Sequence, residues 1–222
     1  MNITQLIGMA VNGELQALHT KNDKDVIVGY INLGLIELYK RFPLKTEEIL
    51  ITLGQSGTNY TMNTANNSLY TMPDDFMYII SAYGELDENY SGYPSVLPVN
   101  EDNNPMSINM VSWNTIQIPV NTVGATVSIV YASAPDLITY SDGKYYANGV
   151  EITNVPIPYQ LVEALLHYVG YRGHASVNGE INSENSTHYT RFEKSCATII
   201  KQGMFTGDDT NMNSRITNRC FV

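Results

Sequence analysis

Four stretches of the chain place apolar residues at helical spacing, and a long stretch between the second and third alternates with a period of two. Ile27, Ile31, Leu35 and Leu38 recur every three to four residues after Asp23, a residue type that caps helix N-termini. Lys40 and Arg41 suit the negative end of that helix dipole, and Pro43 stops it. Val26, Tyr30, Leu33 and Tyr39 widen the apolar surface, so more than one neighbour is expected to bury this helix. A further helix is expected after Val155-Pro156-Ile157-Pro158-Tyr159. Its second proline fits a first turn, Leu161, Leu165, Tyr168 and Arg172 follow on one face, and Val162, Leu166 and Val169 add a row. Ser183 and Glu184 open the last helix, with Tyr189, Phe192, Cys196 and Ile199 as its buried stripe, Lys194, Lys201 and Gln202 outward, and Gly203 as cap. Residues 3–18, with Ile3, Leu6, Ile7, Ala10 and Glu14 on successive turns, give a weaker first helix that Gly8 and Gly13 interrupt.

The period-two segment reads as strands: Ile49, Ile51 and Leu53; Leu69 to Met72; Phe76, Tyr78 and Ile80; Trp113 to Val120; Thr126 to Ala132. Polar turn-rich runs separate them, and no helical crossover is visible, so an antiparallel sandwich or small barrel is expected rather than a parallel sheet. Asp142-Gly143 between Tyr140-Ser141 and Lys144-Tyr145 is a hairpin signal, because both central residues of the favoured turn need positive φ. The predicted fold class is therefore α+β. About four helices form a core from residues 1–46 and 155–203, residues 47–154 form a long antiparallel β-rich insertion, and residues 204–222 form an extended C-terminal arm. The arm is polar and aperiodic, with isolated Met204, Phe205, Ile216 and Phe221 and the cations Arg215 and Arg219. Such a segment cannot bury a core of its own and is expected to order on a partner.

Charge follows the same division. Between Glu47 and Glu151 lie twelve of the 22 acidic side chains but only Lys144 of the 12 basic ones, so the formal charge of −10 belongs to the β-rich block. Nucleic-acid binding is opposed, because its affinity comes largely from Lys and Arg replacing counterions on phosphates. Charged residues make up 15% of the chain, below the usual share of about 25%, and Asn, Ser, Thr and Tyr fill the difference. That composition suits permanent protein contacts; drift in base composition explains it equally. Met1-Asn2-Ile3-Thr4 has no basic n-region and no apolar run reaches a membrane span of about 18 residues, so a soluble, unexported protein without membrane partners is expected. Cys196 and Cys220 do not resemble a disulfide framework, and reduced thiols are expected.

Catalytic signatures are missing from the sequence. Asp74-Asp75 follows Pro73 before a strand, where neighbours point to opposite faces, so a turn is expected rather than a metal or acid/base pair. Glu163 and His167 lie one helical turn apart with His174 beyond, yet neither the His-Glu-x-x-His nor the Glu-x-x-His spacing is present, and a polar edge of the core is expected. His19 and His188 are expected at the surface. A nucleophile elbow and a phosphate-cradling Gly-rich loop are both lacking, so the reading is of a non-enzyme with no catalytic residues, no metal and no cofactor. Trp113 and the tyrosines offer faces that stack on sugars, although a Trp on an alternating strand is more often core.

The order of these pieces resembles the head-to-tail connector, or adaptor, proteins of tailed bacteriophages, especially the short-tailed podovirus and crAss-like kind. The resemblance is carried by Val26-Ile27-Val28-Gly29-Tyr30-Ile31-Asn32-Leu33-Gly34-Leu35-Ile36-Glu37-Leu38-Tyr39 and by Met72-Pro73-Asp74-Asp75-Phe76-Met77. It continues through Ile157 to Arg172 and in Tyr189-Thr190-Arg191-Phe192-Glu193. It implies a dodecameric ring docked under the portal protein, with tail or further ring proteins below and genomic DNA passing through the channel without specific binding. It also implies a virion protein made in the host cytoplasm, whose C-terminal arm reaches the portal. The acidic block then has two readings, a channel wall that repels phosphates or a solvated outer face that keeps the protein soluble. A β-rich carbohydrate- or receptor-binding module, resting on Trp113 and the tyrosines, is the alternative.

Overall fold

The computed structural model describes residues 1–18, 23–52, 60–63, 67–84, 95–101, 104, 107–119, 126–178 and 183–203. Two helices come first, α1 (Ile3–Asn12) and α2 (Lys24–Arg41). Eight strands follow: β1 (Thr46–Thr52), β2 (Tyr60–Asn63), β3 (Asn67–Thr71), β4 (Phe76–Gly84), β5 (Ser95–Leu97), β6 (Asn109–Ser112), β7 (Thr115–Pro119) and β8 (Thr126–Ser133). A short meander, β9 (Ile138–Ser141), β10 (Lys144–Ala147) and β11 (Val150–Glu151), precedes α3 (Val162–Asn178) and α4 (Ser183–Lys201). The fold is α+β, as the patterning predicts. The chain divides into two compact units, one made of Met1–Phe42 with Asp136–Val222 and the other of Pro43–Pro135. The meander thus clusters with the helices.

In the helical unit, the capping residues do what their chemistry requires. The Asn2 side chain accepts from the Thr4 and Gln5 amides at 2.9 and 3.3 Å, and Asp23 accepts from the Val26 amide at 3.2 Å. The first helix is shorter than its sequence pattern: α1 stops at Asn12, and tight turns carry Leu15 and Leu18 inward. Gly13 has φ −107° and ψ −96°, outside the helical region, which accounts for the break. Ile27, Ile31, Leu35 and Leu38 of α2 are buried, as are Leu161, Leu165 and Val169 and, on α4, Phe192 and Cys196, with α2 packed on α3 and α3 on α4. Asn32, polar on an otherwise apolar face, is explained by β9. Its Nδ2 donates to the Ile138 carbonyl at 2.7 Å while its Oδ1 accepts from the Ile138 amide at 2.9 Å, so one side chain satisfies both backbone groups. The Asp142-Gly143 hairpin forms as expected, with φ of 51° and 81°, and Asn148-Gly149 makes a second turn of the same kind at 50° and 77°.

In the β unit, every strand pair is antiparallel. One sheet runs β1-β8-β4-β5 and the other β2-β3-β7-β6. Their inward residues, among them Ile51, Phe76, Ala82, Ile116, Ile118, Val127, Ile129 and Tyr131, form one shared core, the sandwich that period-two alternation implies. β8 sits between β1 and β4, and its Val127, Ile129 and Tyr131 are all buried. The expected strand from Trp113 is corrected. Trp113 and Asn114 make the turn between β6 and β7, and Trp113 is 69% exposed rather than part of the core.

Candidate functional site

Three polar arrangements stand out among the described residues, and each is built by a different part of the fold. In the β unit, Asp74 and Asp75 lie in the turn that leads into β4, as their spacing predicts. Asp75 accepts a hydrogen bond from Ser133 Oγ at 2.6 Å, and the Tyr131 hydroxyl lies 3.1 Å from Glu47 and 3.4 Å from Asp75. Burial pushes the Tyr131 hydroxyl well above its ordinary pKa, and the two carboxylates reinforce the shift, so it stays protonated and donates. This is a structural tie between β1, β8 and the turn.

The second arrangement joins α2 to α4. Arg41 holds Glu193 through both terminal nitrogens, at 2.8 and 2.7 Å, and reaches Glu37 one turn back at 3.2 and 3.3 Å. Its guanidinium also lies 4.6 Å from the centre of the Phe192 ring. The Arg41 hydrogen bonds hold the Glu193 carboxyl below its ordinary value, with burial opposing them. Cys196, buried beside this network, has its thiol pushed up to about 11 by burial, which leaves it protonated and unreactive.

The third arrangement was not legible in the sequence. Glu163 and His167 share a face of α3 as predicted, with His167 Nε2 3.6 Å from Glu163 Oε1. The closer neighbours of His167 come from elsewhere: its Nδ1 lies 3.2 Å from Glu14, and the other Glu14 oxygen lies 2.8 Å from Nδ1 of His188. The expectation that His188 lies at the surface is corrected, its side chain being only 14% exposed. His188 continues the Phe192, Cys196 and Ile199 stripe one turn earlier, and that spacing was the available signal. Glu14 had none, because its place depends on the turn after α1. Leu15 beside it packs where α3 carries Gly173, whose missing Cβ would collide with Leu15, and His174 Nε2 donates to the Glu14 carbonyl at 3.1 Å. His174 also stacks on His188, with ring centres 4.9 Å apart. Burial pulls the His188 imidazole below its usual pKa, against the opposing charge of Glu14.

Outside these clusters the helical unit presents a shallow hollow lined by Met1, Gln5, Gly8, Met9, Asn12, Tyr159 and Val162, with Met9 51% and Tyr159 79% exposed. The arm residues Met204, Phe205, Arg215, Ile216, Arg219 and Phe221, and with them Cys220 and His19, lie outside the described residues. Among the described residues no helix is long and apolar enough to cross a membrane. No curated protein matches the chain. The model of one family, the SU10 adaptor protein, matches residues 1–217. A match over nearly the whole length means that the chain belongs to the SU10 adaptor protein family, structural adaptors of bacteriophage.

Proposed function

We propose that this adaptor forms a closed ring between the portal and the tail of a short-tailed phage, extending the channel through which the genome leaves. The observation that carries the reading is the family match over residues 1–217. An adaptor of this kind is structural rather than catalytic, and its partners are the portal protein, tail or further ring proteins, and copies of itself, twelve in the ring by the family resemblance. The exposed Met9 and Tyr159 give the helical unit apolar contact points of the kind that interfaces bury. The β unit carries nine acidic side chains against Lys45 alone, so DNA can pass it without being held. The protein is then made in the host cytoplasm and ends in the virion at the head–tail junction.

Residues 204–222 are the proposed portal contact, with Met204, Phe205, Ile216 and Phe221 filling pockets and Arg215 and Arg219 pairing with carboxylates. A modest affinity per arm becomes strong attachment when repeated around a ring. Native mass measurement of the protein mixed with its portal tests the ring, and one or two copies per portal would exclude it. Deleting residues 204–222 is expected to leave the unfolding midpoint nearly unchanged and to abolish portal attachment; normal docking by the truncated protein would move the contact elsewhere. The exposed Trp113 supports a second reading, a carbohydrate- or receptor-binding module, and glycan binding that Trp113→Ala abolishes would favour it.

A further inference from the structure

We propose that Glu14, His167 and His188 form a binding site for a divalent transition-metal ion, Zn²⁺ being the best fit. One ligand atom from each of the three lies within 4.8 Å of the others. Two imidazole nitrogens and a carboxylate are the donor set of three-ligand zinc sites, which keep a further position for water or an incoming group. In a tetrahedral site with bonds of about 2.0–2.1 Å, ligand atoms sit about 3.3–3.4 Å apart, so the widest separation here closes by no more than about 1.5 Å. The Glu14 carboxylate already spans the two rings, its Oε1 lying 3.2 Å from His167 Nδ1 and its Oε2 2.8 Å from His188 Nδ1.

Two further observations favour an ion over a simple polar cluster. The Nδ1 atoms of His167 and His188 are shut off from solvent, and although both stand at ion-pair distance from Glu14, neither makes a hydrogen bond. A buried polar atom left in that state calls for a partner. The space between the ligands is also kept clear. Gly170 lies on α3 one turn beyond His167, and a Cβ there would stand 2.9 Å from His188 Nδ1 and 3.2 Å from Glu14 Oε2. The surroundings have the features that support ligating histidines. Glu163 lies 3.6 Å from the far nitrogen of His167, where a carboxylate orients the ring, and the stacked His174 limits rotation of His188. His167 and Glu163 also line an open groove with Arg191, Lys194 and Ser195, which supplies an entry path. Bound there, the ion would clasp the turn after α1 to α3 and α4 and stabilise the fold by mass action.

Calorimetric titration of the EDTA-treated full-length protein with Zn²⁺ should show one site, and thermal unfolding should move to higher temperature with Zn²⁺. Glu14→Gln and His188→Gln should each weaken uptake by at least about tenfold, the loss that even the outer partners of a metal ligand produce. Should those variants fail to fold, histidine side-chain ¹⁵N spectra of the unaltered protein decide, because Zn²⁺ is expected to shift the Nδ1 signals of two of the 4 histidines. No uptake at micromolar Zn²⁺, uptake that both substitutions leave unchanged, or shifts confined to Nε2 signals would each overturn the proposal.

Discussion

The helical unit and the β unit treat their carboxylates differently. In the helical unit Glu37 and Glu193 meet Arg41, Glu151 meets Lys144 at 2.7 Å, and Glu14 meets His167 and His188. In the β unit the partners are mostly hydroxyls, Tyr131 for Glu47 and Asp75, Ser133 for Asp75 and Ser128 for Glu48, with Lys45 at 3.1 Å from Glu47 as the described ion pair. Neutral donors satisfy a carboxylate without cancelling its charge. Among the described residues, one unit therefore uses its charges in internal ties, while the other is held by a hydrophobic sandwich and keeps its negative charge largely uncancelled. That contrast yields predictions that differ between the units.

The largest expected effects are in the two cores. Phe192→Ala removes a fully buried ring that packs on Tyr168 at 5.1 Å and lies under Arg41, and should cost about 3–5 kcal/mol in denaturant unfolding. Ile129→Ala in the sandwich should cost about 2–5 kcal/mol. Hydrogen exchange separates them: Phe192→Ala should speed exchange in α3 and α4 while leaving the amides of Val127 to Tyr131 protected. Equal loss of protection in both units would show that the two cores unfold as one.

Arg41→Ala should cost about 1–2 kcal/mol, a charged hydrogen-bond pair discounted for the 43% exposure of Glu193. Arg41→Lys should recover little, because a lysine cannot span both Glu193 oxygens. The pH dependence has a defined sign. The Glu193 carboxyl is held below its ordinary 4.5, so its stabilising contribution is complete above that value and is lost as the pH falls through the lower, folded value. An acid unfolding curve in which Arg41→Ala and the unaltered protein keep the same stability difference down to pH 3 would contradict the pairing.

Trp113→Ala should change stability by no more than about 0.5 kcal/mol, since the ring is 69% exposed in a turn. The smallest expected signal is DNA binding. A gel shift at low salt should show no complex, and micromolar binding that weakens steeply with salt would reveal a basic surface on the helical unit.

Much of this was readable before any coordinates. The buried rows of α2, the capping by Asp23, the Asp142-Gly143 hairpin and the outline of β1, β3, β4 and β8 follow from local periodicity and turn chemistry, which act over a few residues. The acidic character of the β unit and the absence of a local catalytic signature are likewise properties of the sequence. Trp113 was misplaced because alternation continues through a two-residue turn, where no side-chain period marks the reversal. The remaining arrangements depend on approach between distant segments. Arg41 reaches Glu193 across a separation of 152 residues, Asn32 reaches Ile138 across 106, and the position of Glu14 beside two histidines follows from Leu15 packing against the bare face of Gly173. Spacing along the chain carries no signal for such meetings, because they are set by which helix faces the core buries together, and only the tertiary structure decides that.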